Sequence, residues 1–87
     1  MEAETRVWLV ERSYGNDEDL VTLVYATPDG TRHIKKQLSH NMLYGKEITA
    51  ARELPEERLE TVPEDEQDRY ATEAQRMAEN HGPDDAV

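Results

Sequence analysis

The chain has 87 residues, 20 acidic and 10 basic side chains, a formal net charge of −10 and no cysteine. That length allows one domain with a modest core and leaves no room for a second. A disulfide framework and a thiolate metal cage are excluded, so stability is expected to come from packing alone.

Apolar runs such as 7–10 and 23–25 fall far short of the roughly 20 residues a membrane helix needs. Acid at Glu2 and Glu4 stands where a secretory signal needs base, which predicts a cytoplasmic protein. Residues 1–50 hold 8 acids and 6 bases, and residues 51–87 hold 12 and 4. The second half therefore carries the charge, and duplex nucleic acid or an anionic membrane is a poor partner for the whole chain. Lysine is scarce, at Lys35, Lys36 and Lys46, and phenylalanine is absent. Such a carboxylate-rich surface stays hydrated in strong salt, where repulsion is screened within ~3 Å at 1 M.

Val7, Trp8, Leu9 and Val10 favour a strand over 6–14, closed by a polar turn at Gly15-Asn16-Asp17-Glu18-Asp19. Residues 20–26 are nearly all strand formers. Thr27-Pro28-Asp29-Gly30-Thr31 then supplies turn chemistry, with proline presetting φ and glycine suited to the left-handed position of a three-residue hairpin loop. That loop sets Thr27 against Thr31, Tyr25 against His33, Val24 against Ile34, Leu23 against Lys35 and Leu20 against Leu38. One face then carries Leu20, Val24, Ile34 and Leu38 and is expected to be the core side. The other carries Val21, Leu23, Tyr25, His33, Lys35 and Gln37. Pairing Tyr14 with Leu20 puts Trp8 and Val10 on the core side, and a one-residue slip sends them to the other.

Residues 39–46 have no clean period and read as a loop with one helical turn. Over 48–54, alternation of Ile48, Ala50 and Leu54 competes with helix formers, and a short edge strand is expected. Pro55 admits a single turn through Leu59. A capping box of Thr61 and Glu64, acids in the first turn and the stop Gly82-Pro83 predict a helix over 62–81. Its apolar stripe is Tyr70, Ala71, Ala74, Met77 and Ala78. Residues 83–87 are expected to fray as an acidic tail.

The elements give a single α+β domain over 1–82, an antiparallel three- to four-stranded meander sheet packed by one C-terminal helix. One helix covers one face. The second face is expected to be shielded by a homodimer, by another protein, or by Met42, Leu43 and Tyr44 folding back.

His33, His40 and His81 show no metal-ligand spacing, and the acidic clusters lack a calcium-loop pattern. Ser13 and Ser39 lack the glycine flanks of a nucleophile elbow, and no phosphate loop is present. No catalytic residue, cofactor or metal is therefore expected. The reading that follows is a non-enzymatic interaction or self-assembling domain adapted to high salt, using Val21, Leu23, Tyr25, His33, Lys35 and Gln37. The competing reading is a single-stranded RNA-binding accessory protein that grips through Tyr25, His33 and Lys35, with Arg32, Lys36 and Trp8 nearby.

Leu54-Pro55-Glu56-Glu57-Arg58-Leu59 and Tyr70-Ala71-Thr72-Glu73 are the stretches in which the chain most resembles the small, acidic, conserved hypothetical proteins of haloarchaea. The resemblance covers the whole chain. It implies a habitat of strong salt, and it carries over no activity and no functional residue.

Overall fold

A computed structural model of the chain describes residues 3–14, 20–39 and 48–87. Of the expected loop at 39–46, Ser39 ends the third strand; residues 40–46, the turn at 15–19 and the cover by Met42, Leu43 and Tyr44 lie outside the described residues. The described elements are β1 (Glu4–Tyr14), β2 (Leu20–Ala26), β3 (Arg32–Ser39), β4 (Ala51–Pro55), a 3₁₀ turn (Glu56–Arg58), β5 (Glu60–Thr61) and α1 (Glu64–Asn80). Among these residues, the five strands form one antiparallel sheet in the order β4-β1-β2-β3-β5, and α1 packs against it. The α+β class and the helix-on-sheet closure follow the sequence reading. The sheet, however, exceeds three to four strands, because Glu60–Thr61 adds a fifth.

The central three strands form a meander, and then the chain leaves that pattern. β4 returns to the β1 edge and β5 lands on the opposite edge. In a flat sheet those edges would stand about 19 Å apart. The five residue steps from Pro55 to Glu60 reach at most about 17 Å, and the 3₁₀ turn shortens them. The sheet must therefore coil and bring its edges together, in keeping with nearly equal overall extents of 31 × 29 × 27 Å. An extra residue in β1, between the pairs Leu9–Tyr25 and Glu11–Val24, adds to that twist as bulges do.

The hairpin differs from the expected one by a single residue, and the reason is a side chain. Asp29 Oδ1 accepts hydrogen bonds from the Thr31 backbone N–H at 3.0 Å, the Thr31 hydroxyl at 2.7 Å and the Thr27 hydroxyl at 2.6 Å. Thr31 is thereby drawn into the loop, and its carbonyl accepts instead from Val62 N–H at 2.9 Å. The ladder begins with Thr27 N–H donating to the Arg32 carbonyl at 3.0 Å. The register becomes Ala26–His33, Tyr25–Ile34, Val24–Lys35, Leu23–Lys36 and Thr22–Gln37. The side chains of His33 to Gln37 consequently lie on the faces opposite to those expected.

The helix side of the sheet holds Trp8, Val10, Val24 and Ala26, packed with Val62, Tyr70 and Ala74. The reverse side holds Val7, Leu9, Val21, Leu23 and Tyr25, packed with Leu54 and Leu59 and flanked by Ile34 and Ile48. Val24 and Ile34, expected on one core face, thus lie on opposite sides. The expected helix stripe is kept at Tyr70 and Ala74, which are buried, while Ala78 is exposed. A small side chain at Ala74 lets α1 lie close against Trp8, Ala50 and Ala51.

Two further expectations are corrected. Thr61 does not cap α1: it pairs with Arg32 in the sheet. The helix starts after Pro63 with no side-chain cap, and Gln67 Nε2 donates to the Val62 carbonyl at 2.9 Å. Residues 83–87, expected as a frayed tail, are hydrogen-bonded to the 48–51 stretch. The carbonyls of Pro83 and Asp85 accept from Ala51 and Ala50 N–H at 3.1 and 2.8 Å, and Val87 N–H donates to the Ile48 carbonyl at 2.8 Å. The 48–51 stretch needs partners for its backbone groups, and this segment supplies them while Val87 packs on both cores.

Candidate functional site

The six residues proposed from sequence as one interaction face do not share a face. Val21, Leu23 and Tyr25 lie on the reverse side and are 0%, 1% and 1% exposed within the single chain. His33, Lys35 and Gln37 lie on the helix side, because Tyr25 pairs with Ile34 and Val24 with Lys35. The large apolar surface that called for a homodimer is therefore already buried at these positions. Tyr25 also spends its hydroxyl inside the chain, donating to the Thr49 carbonyl at 3.2 Å. Burial raises its pKa above the ordinary tyrosine value, against the opposing charges of Arg52 and Arg12. Trp8 is buried as well. Neither ring is available to stack a base.

His33 sits beneath the helix. It is buried, its ring centroid lies 5.8 Å from that of Tyr70 at 42°, and its Nδ1 has no hydrogen-bond partner. Around it stand Glu60 on β5, Lys35 on β3, and Glu66 and Tyr70 on α1. Arg69 lies 4.9 Å over the Tyr70 ring and reaches Glu11 at 3.0 Å and Glu66 at 3.6 Å. These exposed, solvent-screened ion pairs contribute little stability. The Arg69–Glu11 pair links the helix to β1. Burial raises the Tyr70 pKa, and the charges of Glu66 and Glu11 act in the same direction.

Burial, aided by Lys35, lowers the His33 pKa, against the pull of Glu60 and Glu66. The unfolded imidazole titrates near its ordinary value of about 6.5, above the folded one. Below that value the unfolded chain binds more protons, so folding stability is full above it and falls as pH drops toward the folded pKa, by at most roughly 1.4 kcal/mol per pH unit. Urea midpoints should accordingly fall more for the natural chain than for His33→Phe between pH ~7 and ~5. Equal falls would remove His33 as the source.

The exposed residues of the predicted face that remain are Lys35 and Gln37, on β3. Between Gly30 and Lys46 the sequence contains Arg32, Lys35, Lys36 and Lys46 and no acid, so β3 is a cationic strip on an acidic molecule. Among the described residues, its outer edge is covered where β5 pairs with Arg32 and His33. Because the Arg32 carbonyl accepts from the N–H of Thr27, just past the end of β2, and Arg32 N–H donates to the Thr27 hydroxyl, antiparallel alternation turns the backbone groups of His33, Lys35 and Gln37 away from β2. His33 meets Glu60. Among the described residues, no strand meets Lys35 or Gln37. The basic run was legible in the sequence. That β3 lies next to the sheet's edge, beside a described strand of only two polar residues, was not.

A shallow cavity of about 240 Å³ between Arg6, Arg52, Glu53 and Asp84, and another of about 320 Å³ beside Met77 and the β1 bulge, bring no nucleophile and base together. Among the described residues, no group of three or more His, Asp or Glu side chains could hold a metal ion, and no helix is long and apolar enough to cross a membrane.

No curated protein and no solved structure matches the chain. A family model matches residues 1–87 in full, and the chain accordingly belongs to DUF7967, a family of unknown function.

Proposed function

We propose that this chain is a non-enzymatic protein-interaction module that accepts an extended, acidic protein segment as an added strand along β3, beside the end of β5. The observation that carries the reading is that no described strand meets the ladder at Lys35 and Gln37, set in a long stretch of the sequence that is basic and free of acid. An added strand gains main-chain hydrogen bonds from such an edge, and side chains on alternate faces provide selectivity. Lysines on an edge also deter indiscriminate pairing, because a guest without acid leaves them opposite apolar or basic groups.

A second copy of the chain fits this edge poorly. A twofold pairing of β3 with itself centred on Lys35 or Lys36 sets a lysine against its own copy, which is destabilising. With the reverse side of the sheet buried at Val21, Leu23 and Tyr25, assembly has no apolar surface to use there. Adaptation to strong salt would be consistent with the −10 charge. In that setting the backbone ladder persists while the lysine contribution shrinks with the Debye length, from ~8 Å at physiological salt to ~3 Å at 1 M.

The test is a fluorescence-anisotropy titration with a labelled Glu/Asp-rich peptide of strand length, at both salt levels. Gln37→Pro deletes an N–H that faces outward, a change an edge strand tolerates, and should abolish binding while leaving circular dichroism unchanged. Lys35→Glu should weaken binding roughly five- to tenfold at low salt and less at high salt. Binding unaltered by Gln37→Pro, or binding of single-stranded RNA in place of the peptide, would overturn the reading.

A further inference from the structure

Resting on that reading of the β3 edge, we infer that β5 is a proton-released gate at one end of the guest's ladder: a proton on the buried His33 ring frees β3 from β5 and lets the guest strand run on to His33. His33 holds two elements at once. Its backbone groups, turned away from β2, meet Glu60 on β5, while its ring lies beneath α1 beside Tyr70. The ring is 7% exposed and its Nδ1 has no partner among the described residues. An imidazolium donates from both nitrogens, so the charged form places an N–H at Nδ1 where the closed arrangement offers no acceptor. A buried charge with an unpaired donor is costly. The groups facing the ring do not cure this. Glu60 on β5 and Glu66 on α1 favour the cation, Lys35 on β3 opposes it, Tyr70 on α1 is neutral, and Ala26, opposite on β2, brings no charge. Arg69, over the Tyr70 ring, is held by Glu11 and Glu66. Burial outweighs the acids and holds the imidazole below its ordinary pKa.

Relief comes at the weakest tie. β2 pairs with β3 from Leu20–Ser39 to Ala26–His33, whereas β5 is a short, exposed strand that pairs with Arg32 and His33. Local opening follows the element with the least pairing. Leu59 and Val62, buried on opposite sides of the sheet, hold β5 in place while His33 is neutral. In the open form the ring titrates near its ordinary value of about 6.5, above the closed one. Protons therefore favour opening, and lowering the pH from ~7.5 to ~5.5 raises the open-to-closed ratio by at most about tenfold. Once β5 is off, the outward backbone groups of His33 join those of Lys35 and Gln37 in one continuous ladder.

Two labelled acidic peptides test the gate by fluorescence anisotropy: a short one whose strand ends opposite Lys35, and a long one carrying two further neutral residues that reach His33. Their carboxylates titrate near ~4 and stay charged at both pH values. The affinity ratio of long to short should rise about three- to tenfold between pH ~7.5 and ~5.5 for the natural chain. It should stay level for His33→Phe, whose ring cannot take a proton. Amide hydrogen exchange of the free chain gives a second readout: protection at His33 and Glu60, relative to Leu23 and Val24, should fall over the same range in the natural chain. An unchanged ratio, an equal rise in His33→Phe, or unchanged protection at Glu60 overturns the gate. Strand addition then stands if both peptides bind and both are lost with Gln37→Pro. If neither peptide binds at either pH, strand addition falls and the gate with it.

Discussion

Replacing Gly30 with alanine should destabilise the domain by about 2–5 kcal/mol and lower its thermal midpoint by roughly 10–30 °C. Two independent effects add. Gly30 has φ +75°, a left-handed conformation that costs a residue with a Cβ about 1–2 kcal/mol. Its Cβ would also stand 2.1 Å from the Gln67 carbonyl oxygen and 2.8 Å from the Ala71 nitrogen. Both are helix backbone atoms, so no rotamer change relieves the overlap and α1 must shift, at about 1–3 kcal/mol for overpacking. That shift would strain neighbouring ties as well: Gln75 Nε2 donates to the Pro28 carbonyl at 3.1 Å, and Val62 N–H to the Thr31 carbonyl at 2.9 Å. Gly82→Ala provides the control, since its Cβ would find nothing nearer than Asp85 at 3.7 Å. Thermal melts of both variants decide the matter, and a Gly30→Ala midpoint within a few degrees of Gly82→Ala would contradict the close approach.

The same hairpin shows what a sequence can and cannot disclose. Pro28, Asp29 and Gly30 announce a turn because each suits a particular backbone conformation, and the turn is there. Loop length is decided by a different interaction, the Asp29 carboxylate gathering the N–H and hydroxyl of Thr31. That contact has no periodic signature, and it decides which face each residue of β3 occupies. The error then passes to function: His33 goes under the helix, and Tyr25 is separated from Lys35. At the helix start the pair Thr61 and Glu64 fits a capping box equally well on paper, but Thr61 stands opposite Arg32 as the end of β5 and the helix begins only after Pro63. β5 itself has no alternation to read. Segment 83–87 reads as polar tail because its task is to offer carbonyls, a property every residue shares. What was legible is the part carried by composition and period: three long strands, a short fourth at the edge, a helix with an alanine-rich face, and a basic β3.

Tyr25→Ala should cost about 3–5 kcal/mol, the range for removing a large buried aromatic side chain. A domain of this size commonly has a total stability of about 5–15 kcal/mol, so the variant should be partly unfolded at ambient temperature. Tyr25 is 1% exposed in a cluster with Val7, Leu9, Val21, Leu23, Leu54 and Leu59, where a cavity cannot easily collapse because strands fix the backbone on either side. Tyr25→Phe separates the ring from its hydroxyl. It should cost only about 1 kcal/mol, the net value of the hydrogen bond to Thr49. It should also change the response to alkali. Because burial raises the folded pKa above the unfolded value, the unfolded chain loses the proton first, and stability present below about pH 10 falls as pH rises through the folded value. Tyr25→Phe removes that part of the alkaline loss and leaves the share due to Tyr70. Urea titrations monitored by circular dichroism at neutral and alkaline pH measure both effects. Binding separates the two functional readings at the same residue. A Tyr25→Phe chain that folds should bind the acidic peptide with unchanged affinity, because the ring faces the interior and the peptide's ladder lies at Lys35 and Gln37. Loss of binding in a variant that melts normally would place the working surface on the reverse face after all.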